Sequence, residues 1–283
     1  MNQNIEKYAK YVNLFIDTRS NKIKNIRHFI NEETKVTYSY SKVGDEGIFC
    51  FYTNKSTLKF IKRFSEFRKK DIPINGEIKN LDNYYYNEFL RINEFVDPIA
   101  DNFRNTKLIN PFRNYKTPDS IKECKDKISM MSFDFEKKKI YLHSGFVFLF
   151  NSISSHFFNI LSEAKKDPEV KRIIFIGHSI GAAIGRIAFF SSIIAHPDYS
   201  NKIDGYFFGS PKVGNSAFEN IFEKFNGNQY YLENDFVSEM PSNKLGFAVP
   251  KKRYIEKNIS FISENKCDSY TYAKVINYIK KKK

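Results

Sequence analysis

Apolar positions in the first quarter of the chain recur with the spacings of helices and strands. Residues 1–30 carry apolar side chains three and four positions apart, which predicts a helix. The run at 35–40 alternates polar and apolar side chains, as a half-buried strand does, and the run at 47–52 is continuously apolar, as a central strand is. Residues 57–70 place apolar side chains on one face and basic ones opposite, which predicts a short amphipathic helix.

The pattern then loses its periodicity over residues 71–131. This polar and aromatic stretch contains four prolines. Because a structureless loop of such length is uncommon in a compact domain, we interpret the stretch as an insertion with short helices or as a lid. The amphipathic segment 57–70 is a second candidate for a lid, although packing against the core is the commoner role for such a helix.

Strands and helices alternate in the second half of the chain. Strands are predicted at 139–143, 171–176, 204–208 and 229–232, and helices at 146–165, 180–196, 217–225 and 272–279. Strands that are separated by helices need crossover connections, which produce a mostly parallel sheet flanked by helices. With no internal repeat and no linker, the sequence predicts one α/β domain over 1–283, with the insertion or lid at about 71–131.

The composition allows a well-packed core and carries an excess of positive charge. Apolar residues make up 41% of the chain, which excludes a disordered protein. The 46 Lys and Arg residues outnumber the 32 Asp and Glu residues, for a net charge of +14. This charge favours an anionic partner, namely nucleic acid, an acidic membrane or an acidic protein. The abundant Lys, Asn, Ile, Phe and Tyr all have AT-rich codons, however, so genome composition alone accounts for much of the charge.

The sequence gives few signals for location, disulfides or metals. No run reaches the roughly 20 apolar residues of a membrane span, and Glu6 and Lys10 interrupt the region where a signal peptide would be apolar. We therefore expect a cytoplasmic or membrane-peripheral protein. The three cysteines are far apart, and the cysteines and histidines lack the spacing of metal ligands, so we expect neither a disulfide framework nor a metal site.

One motif places a serine between a buried strand and an apolar helix. The predicted strand runs into Gly177-His178-Ser179-Ile180-Gly181, and an Ala-rich helix follows. Side chains two positions before and after the serine would collide in such a tight turn, so glycine is needed at both. The turn exposes the Ser179 hydroxyl and directs the Ile180 N–H toward the position of an oxyanion. The motif predicts a nucleophile elbow at Ser179; a glycine-bounded turn with an unreactive serine is the alternative.

Four blocks in the second half of the chain carry recognisable motifs. They read L-H-S-G-F at 142–146, G-H-S-I-G-A-A at 177–183, F-G-S-P-K-V-G-N with A-F shortly after it at 208–218, and N-D-F-V-S-E-M-P at 234–241. In type and order these blocks resemble the class 3 lipases, the fungal and plant triacylglycerol lipases of the α/β-hydrolase fold. The resemblance is clear over 140–250, weak at 45–70 and hardly present at 71–131.

The resemblance implies a serine carboxylic ester hydrolase that degrades lipid esters through an acyl-enzyme and needs no cofactor. Ser179 matches the family's nucleophile and Asp235 matches its acid; a turn-capping aspartate is the alternative for Asp235. A serine becomes nucleophilic when a base takes its proton, and the acid orients that base. The order of serine before aspartate also suits this fold. Oxyanion stabilisation would come from the Ile180 backbone N–H and from Asn54.

The chain departs from the family at the base. The family's histidine should follow Asp235, but all five histidines precede it. They are His28, His143, His156, His178 and His196. We interpret these as structural or surface histidines. The family's slot falls near Asp268 or Tyr270, and neither suits the role, because Asp235 would repel an aspartate and a tyrosine titrates near a pH of about 10. The identity of the base stays open.

A second departure lies at the end of the strand at 47–52. The family reads F-R-G-T or F-R-G-S where this chain has Phe51-Tyr52-Thr53-Asn54. The Asn54 amide offers a replacement donor, but the Arg and the Gly are lost. Loss of one triad member can leave a residual acceleration of about 10³–10⁴-fold.

Two functions therefore stay open. One is a lipase-like ester hydrolase with impaired activity, and the other is a catalytically lapsed relative that binds lipid, membrane or a protein partner. An anionic membrane surface is a candidate partner for both. Nucleic-acid binding has no motif behind it, because the basic tail at 280–283 is typical of a solvated terminus.

Overall fold

A computed structural model describes residues 2–16, 22–32, 34–52, 130–135, 138–232, 238, 247–249 and 253–256. The helices in these ranges are α1 (Asn2–Ile16), α2 (Ser144–Lys166), α3 (Ile180–Ala195) and α4 (Ser216–Lys224), and a 3-10 helix at Pro197–Lys202 follows α3. The strands are β1 (Arg27–Ile30), β2 (Thr37–Val43), β3 (Glu46–Tyr52), β4 (Met130–Phe135), β5 (Lys138–His143), β6 (Arg172–His178), β7 (Ile203–Phe208), β8 (Gly227–Leu232) and β9 (Arg253–Glu256).

Seven of these strands form one mixed sheet in the order β1-β2-β3-β6-β7-β8-β9. The pairs β1–β2 and β2–β3 are antiparallel, and every later pair from β3 to β9 is parallel. Strands β4 and β5 form a separate antiparallel hairpin. The predicted α/β architecture, with a mostly parallel sheet flanked by helices, is therefore confirmed.

The two faces of the sheet support two separate layers of core side chains. On one face, Phe49 and Phe175 stack with ring centroids 5.5 Å apart, beneath the buried faces of α2, α3 and α4. On the other face, α1 packs over β3, β6 and β7. The alternation of side chains along a strand assigns neighbouring residues to opposite layers. The continuous apolar run of β3 thus reflects burial on both faces.

Helix α1 is fixed to the sheet by a buried polar contact. The Tyr8 hydroxyl donates a hydrogen bond of 2.7 Å to Glu46, and the Lys7 ammonium lies 2.7 Å from the same carboxylate. The Tyr8 ring also packs on Tyr206 with centroids 4.2 Å apart. Burial, and to a smaller extent the hydrogen bond to Glu46, raises the pKa of Tyr8 well above its usual range. The tyrosine therefore stays a donor at every relevant pH.

Some predicted boundaries were wrong. The helix expected over 1–30 ends at Ile16, and Arg27–Ile30 forms an edge strand paired with β2. This strand is mostly exposed, so it lacks a buried apolar face, and pairing with a neighbour decides its structure. Strands β4 and β9 were not predicted. The helices predicted at 57–70 and 272–279, and nearly all of the insertion at 71–131, lie outside the described residues, and the single-domain organisation stays a prediction.

Candidate active site

Ser179 occupies a strained turn between β6 and α3. Its backbone has φ 56° and ψ −131°, a positive φ that residues with a side chain rarely adopt. The Ser179 N–H donates to the Phe208 carbonyl at 3.0 Å, and its own carbonyl accepts the first helical bond from Ala183 at 3.2 Å. Although Ser179 is the N-cap residue of α3, its hydroxyl makes no capping hydrogen bond. The half-buried serine is thus held by its backbone, which has the geometry expected of a nucleophile elbow.

The glycines on either side of Ser179 are required by close backbone contacts. A Cβ on Gly181 would lie 2.5 Å from both the Phe51 carbonyl oxygen and the Tyr52 Cα, and a Cβ on Gly177 would lie 2.9 Å from the Ala182 Cα. Real Cβ atoms essentially never approach within 3.0 Å of another heavy atom. The steric requirement predicted for both glycines is therefore present in the structure.

The start of α3 lies directly beside the end of β3. Ile180 is the first residue of α3, and the first N–H groups of a helix have no acceptor within the helix. Phe51 and Tyr52, whose backbone contacts Gly181, are the last residues of β3. Asn54 follows two residues later but lies outside the described residues, so its role as a second oxyanion donor stays a prediction.

The predicted acid follows a strand that ends at the same edge of the sheet. Strand β8 is parallel to β7, with Phe208 paired to Tyr230, and it ends at Leu232. Asp235 comes three residues later and lies outside the described residues, as do Asp268 and Tyr270. In a parallel sheet, the ends of neighbouring strands meet at one edge. Strand β8, which Asp235 follows in the sequence, therefore ends at the edge of the sheet that carries Ser179.

His143 has a structural role at the start of α2. Its Nδ1 accepts a hydrogen bond from the Phe146 N–H at 3.4 Å, which caps the helix. The ring is fully buried and stacks on Phe146, with centroids 4.2 Å apart. Burial lowers the pKa of His143 to about 3, so the ring is neutral under ordinary conditions.

Two other histidines form hydrogen bonds with side chains of β2 and β3. The His28 Nδ1 lies 2.7 Å from the Ser39 hydroxyl and 3.2 Å from that of Tyr52. Burial lowers the pKa of His28. The His156 Nδ1 lies 2.8 Å from the Tyr38 hydroxyl. These contacts fit the structural roles expected from the sequence.

The last two histidines lie at opposite ends of helix α3. His178 ends β6, immediately before Ser179, and is paired in register with Phe208. His196 follows α3 and its N–H donates to the Ser192 carbonyl. Burial, together with the charge of Lys165, lowers the pKa of His196. His178 is therefore the histidine next to the elbow, whereas His196 lies at the far end of its helix.

Sequence reasoning missed one buried charged pair beside the elbow helix. Arg186 on α3 and Glu219 on α4 form an ion pair at 2.6 Å, with their side chains 0% and 3% exposed. Burial raises the pKa of Glu219, and the charge of Arg186 opposes that shift. The signal was present in the sequence as a single arginine within the apolar run 180–196.

Fungal lipases are among the solved structures that share this architecture. The triacylglyceride lipase of Rhizomucor miehei matches with a TM-score of 0.55 and 12% identity, covering 90% of this chain and 80% of that one. The lipase of Rhizopus microsporus var. chinensis matches with a TM-score of 0.54 and 14% identity, covering 91% and 75%. At these identities the likeness concerns the fold, which is the α/β-hydrolase fold of the fungal lipases.

A comparison of sequences finds a likeness to one lipase family in part of the chain. Residues 112–245 match the model of the class 3 lipases, so this segment of the chain is similar to that family. The predicted resemblance is thereby confirmed. Proteins with similar sequences include two secreted mono- and diacylglycerol lipases of Malassezia globosa. LIP1 is 29% identical to this chain over 117 residues, and MDL2 is 31% identical over 110 residues. Each match covers 38% of this chain and 36% of the relative, so the chain matches about a third of these proteins' length.

Proposed function

We propose that this protein is a serine carboxylic ester hydrolase that acts on acylglycerol or related lipid esters. Ser179 would attack the ester carbonyl, the Ile180 N–H and Asn54 would stabilise the tetrahedral oxyanion, and Asp235 would orient the base. The observation that carries the proposal is the Ser179 backbone at φ 56°, held between two glycines that tolerate no side chain. Such strain persists where the surrounding structure enforces it, and it is concentrated at functional sites.

Two observations support lipid esters as the substrate class: the sequence similarity to known lipases and the basic charge of the chain. The chain is related to mono- and diacylglycerol lipases, which supports lipid esters as substrates. The net charge of +14 would attract the protein to anionic lipid surfaces, where such esters lie. Within the described residues, no helix combines the length and the apolar character needed to cross a bilayer. Because of the basic charge, we propose that the protein reaches its substrate at the membrane surface.

The proposed mechanism lacks a histidine as its general base. No histidine follows Asp235 in the sequence, and loss of one triad member leaves a residual acceleration of only about 10³–10⁴-fold. Slow turnover is therefore expected. If a histidine slot survives near Asp268 or Tyr270, supplying the missing imidazole should restore the proton transfer from Ser179.

Hydrolysis of short and long p-nitrophenyl esters tests this proposal. We expect slow hydrolysis by the wild type, its loss in Ser179→Ala, and its retention in Ser155→Ala, which removes an exposed serine from α2. We also expect Asp268→His or Tyr270→His to raise the rate by at least about tenfold, which is part of the about 10²–10⁴-fold that a well-positioned general base supplies. Equal rates for the wild type and Ser179→Ala would refute hydrolysis at this serine, and a flat response of both histidine variants would refute the proposed slot.

The second candidate is a catalytically lapsed lipase-like protein that binds lipid or membrane. The observation in its favour is that every histidine precedes the acid. Co-sedimentation with phosphatidylserine vesicles across a salt series separates the two. Binding that weakens with salt, together with an inert Ser179, would support the lapsed protein. Binding that ignores both salt and lipid charge would contradict the electrostatic attachment.

A further inference from the structure

A buried charged network lies behind the elbow, outside the groups proposed for catalysis. Arg186 lies on α3, seven residues after Ser179, which returns it to nearly the same face of the helix after two turns. Its Nη2 lies 2.6 Å from both carboxylate oxygens of Glu219 on α4. Its guanidinium also packs over the Phe222 and Phe218 rings, at 4.6 and 5.3 Å from their centroids. Helices α3 and α4 are thus joined by one ion pair enclosed in aromatic side chains.

The network continues into the strand that precedes the proposed acid. The Gln229 side-chain amide on β8 donates to Glu219 at 3.1 Å, and the Tyr231 hydroxyl donates to Gln229. Both residues are buried. The carboxylate of Glu219 therefore links α3 to β8, whose C-terminal end leads toward Asp235 in the sequence.

The second nitrogen of Arg186 reaches the segment after β7. Its Nη1 donates to the Pro211 carbonyl at 3.3 Å and to the Ser210 hydroxyl at 3.5 Å. Two backbone bonds connect this segment to the elbow and to β8. The Phe208 carbonyl accepts from the Ser179 N–H at 3.0 Å, and the Gly209 N–H donates to the Tyr230 carbonyl at 2.9 Å. Arg186 thus binds Ser210 and Pro211, the two residues that come directly after Phe208 and Gly209 in the sequence.

Stability alone does not explain a pair of this kind. Burying two charges costs solvation, and apolar residues of similar volume often stabilise a protein as well or better. Arg186 lies among Ala, Ile and Phe residues of α3, so an apolar side chain at this position would suit the rest of the helix. A guanidinium, in contrast, makes several hydrogen bonds in fixed directions, which holds several elements in one arrangement.

We propose that Arg186 and Glu219 are positioning residues that hold the end of β7 and residues 209–211 against the elbow at Ser179. The geometric claim stands on the contacts of the described residues, and only its effect on Ser179 reactivity rests on the proposed function. Without the network, the helices and the sheet would remain, but the turn would lose its register relative to the end of β8.

The test compares two double variants of the full chain. Arg186→Met with Glu219→Gln removes both charges and leaves an amide for Gln229 to bond. Arg172→Met with Asp204→Asn is the control. It also removes an arginine–carboxylate pair, but this pair lies at the N-terminal ends of β6 and β7, whereas Ser179 follows the C-terminal end of β6. Hydrogen exchange of the Ser179 and Gly209 amides is measured beside urea unfolding. We expect exchange at least about tenfold faster in the first variant and within about twofold of the wild type in the control. Equal protection of these amides in both double variants would overturn the proposal.

A third variant keeps the test decisive if the first does not fold. Arg186→Lys retains a cation for Glu219 but cannot reach Pro211 and Ser210 at the same time. We expect this variant to fold and to exchange the Ser179 and Gly209 amides faster than the wild type. Wild-type protection of both amides in Arg186→Lys would also overturn the proposal.

Labelling of Ser179 by a fluorophosphonate gives the catalytic readout. If the wild type is labelled, the Arg186→Met, Glu219→Gln variant should react about 100-fold more slowly, the cost expected for a misplacement of about 1 Å. Labelling at the wild-type rate would refute positioning of the nucleophile. If the wild type is not labelled, the proposed hydrolase function has failed, and amide exchange still decides whether the network holds the elbow.

Discussion

The contact between Gly181 and β3 supports a quantitative prediction for Gly181→Ala. The added methyl group would lie 2.5 Å from the Phe51 carbonyl oxygen and from the Tyr52 Cα. An ordinary contact begins at 3.4 Å, so the start of α3 would have to move away from β3 by about 0.9 Å. The atoms in the way belong to the backbone of a fully buried strand, which has no rotamer to change.

Two opposing contributions set the size of the effect. Alanine is the better helix former by about 1 kcal/mol. Overpacking typically costs about 1–3 kcal/mol, and a clash with backbone belongs at or above the upper end of that range. We therefore expect Gly181→Ala to lower the free energy of unfolding by about 2 kcal/mol. The displaced elbow should also slow labelling of Ser179 by about 100-fold.

Gly185→Ala is the matched control for this prediction. Gly185 lies one turn further along the same helix, but its Cβ would meet the ring edges of Phe207 and Phe51, at 2.9 and 3.0 Å. Rings can tilt where backbone cannot, so we expect an overpacking cost near the lower limit of about 1 kcal/mol, which the better helix propensity of alanine largely offsets. Urea unfolding followed by circular dichroism measures both variants, with the midpoints compared at a constant m value. A Gly181→Ala protein with wild-type stability and labelling would refute the steric explanation of the elbow.

Three further predictions concern the core and its polar contacts, each measured by urea unfolding. Burial lowers the pKa of His143 to about 3 while the unfolded chain binds its proton near 6.5, so stability should fall below pH of about 6.5, by up to about 1.4 kcal/mol per unit. His143→Asn keeps an acceptor for the Phe146 N–H and should flatten this decline; parallel pH curves would contradict the assignment. Tyr8→Phe removes the hydrogen bond to Glu46 and should cost about 1–2 kcal/mol, and no loss would show that α1 docks without it. Phe157→Ala should cost about 3–5 kcal/mol because the ring is fully buried, and a cost below 1 kcal/mol would mean that the site collapses around the gap.

The elements with strong local signals were predictable from the sequence. Strand β6 and helix α3 match their predicted ranges within about two residues, since a continuous apolar run meets a glycine-bounded turn and an apolar helix follows. The conformation of Ser179 was predictable for the same reason. A serine between two glycines at a strand-to-helix junction has few other ways to turn.

Features set by distant parts of the chain were not predictable. Strand β1 is short and exposed, so its structure depends on pairing with β2 rather than on its own pattern. The ion pair of Arg186 and Glu219 joins residues 33 positions apart, and neither charge stands in a motif. Gln229, which donates to Glu219, is an ordinary polar residue within the short strand β8. The sequence shows that Arg186 interrupts an apolar run but not what it binds.

The central claim is that the elbow presents an activated serine, and site-resolved labelling with a fluorophosphonate tests it most directly. Native protein is treated with the probe, digested and mapped by mass spectrometry, with Ser179→Ala, Ser155→Ala and urea-unfolded wild type in parallel. We predict one adduct, on the peptide that contains Ser179, in the native wild type and in Ser155→Ala. It should be absent from Ser179→Ala and from the unfolded protein. Labelling of Ser179 no faster in the native than in the unfolded wild type would contradict the claim.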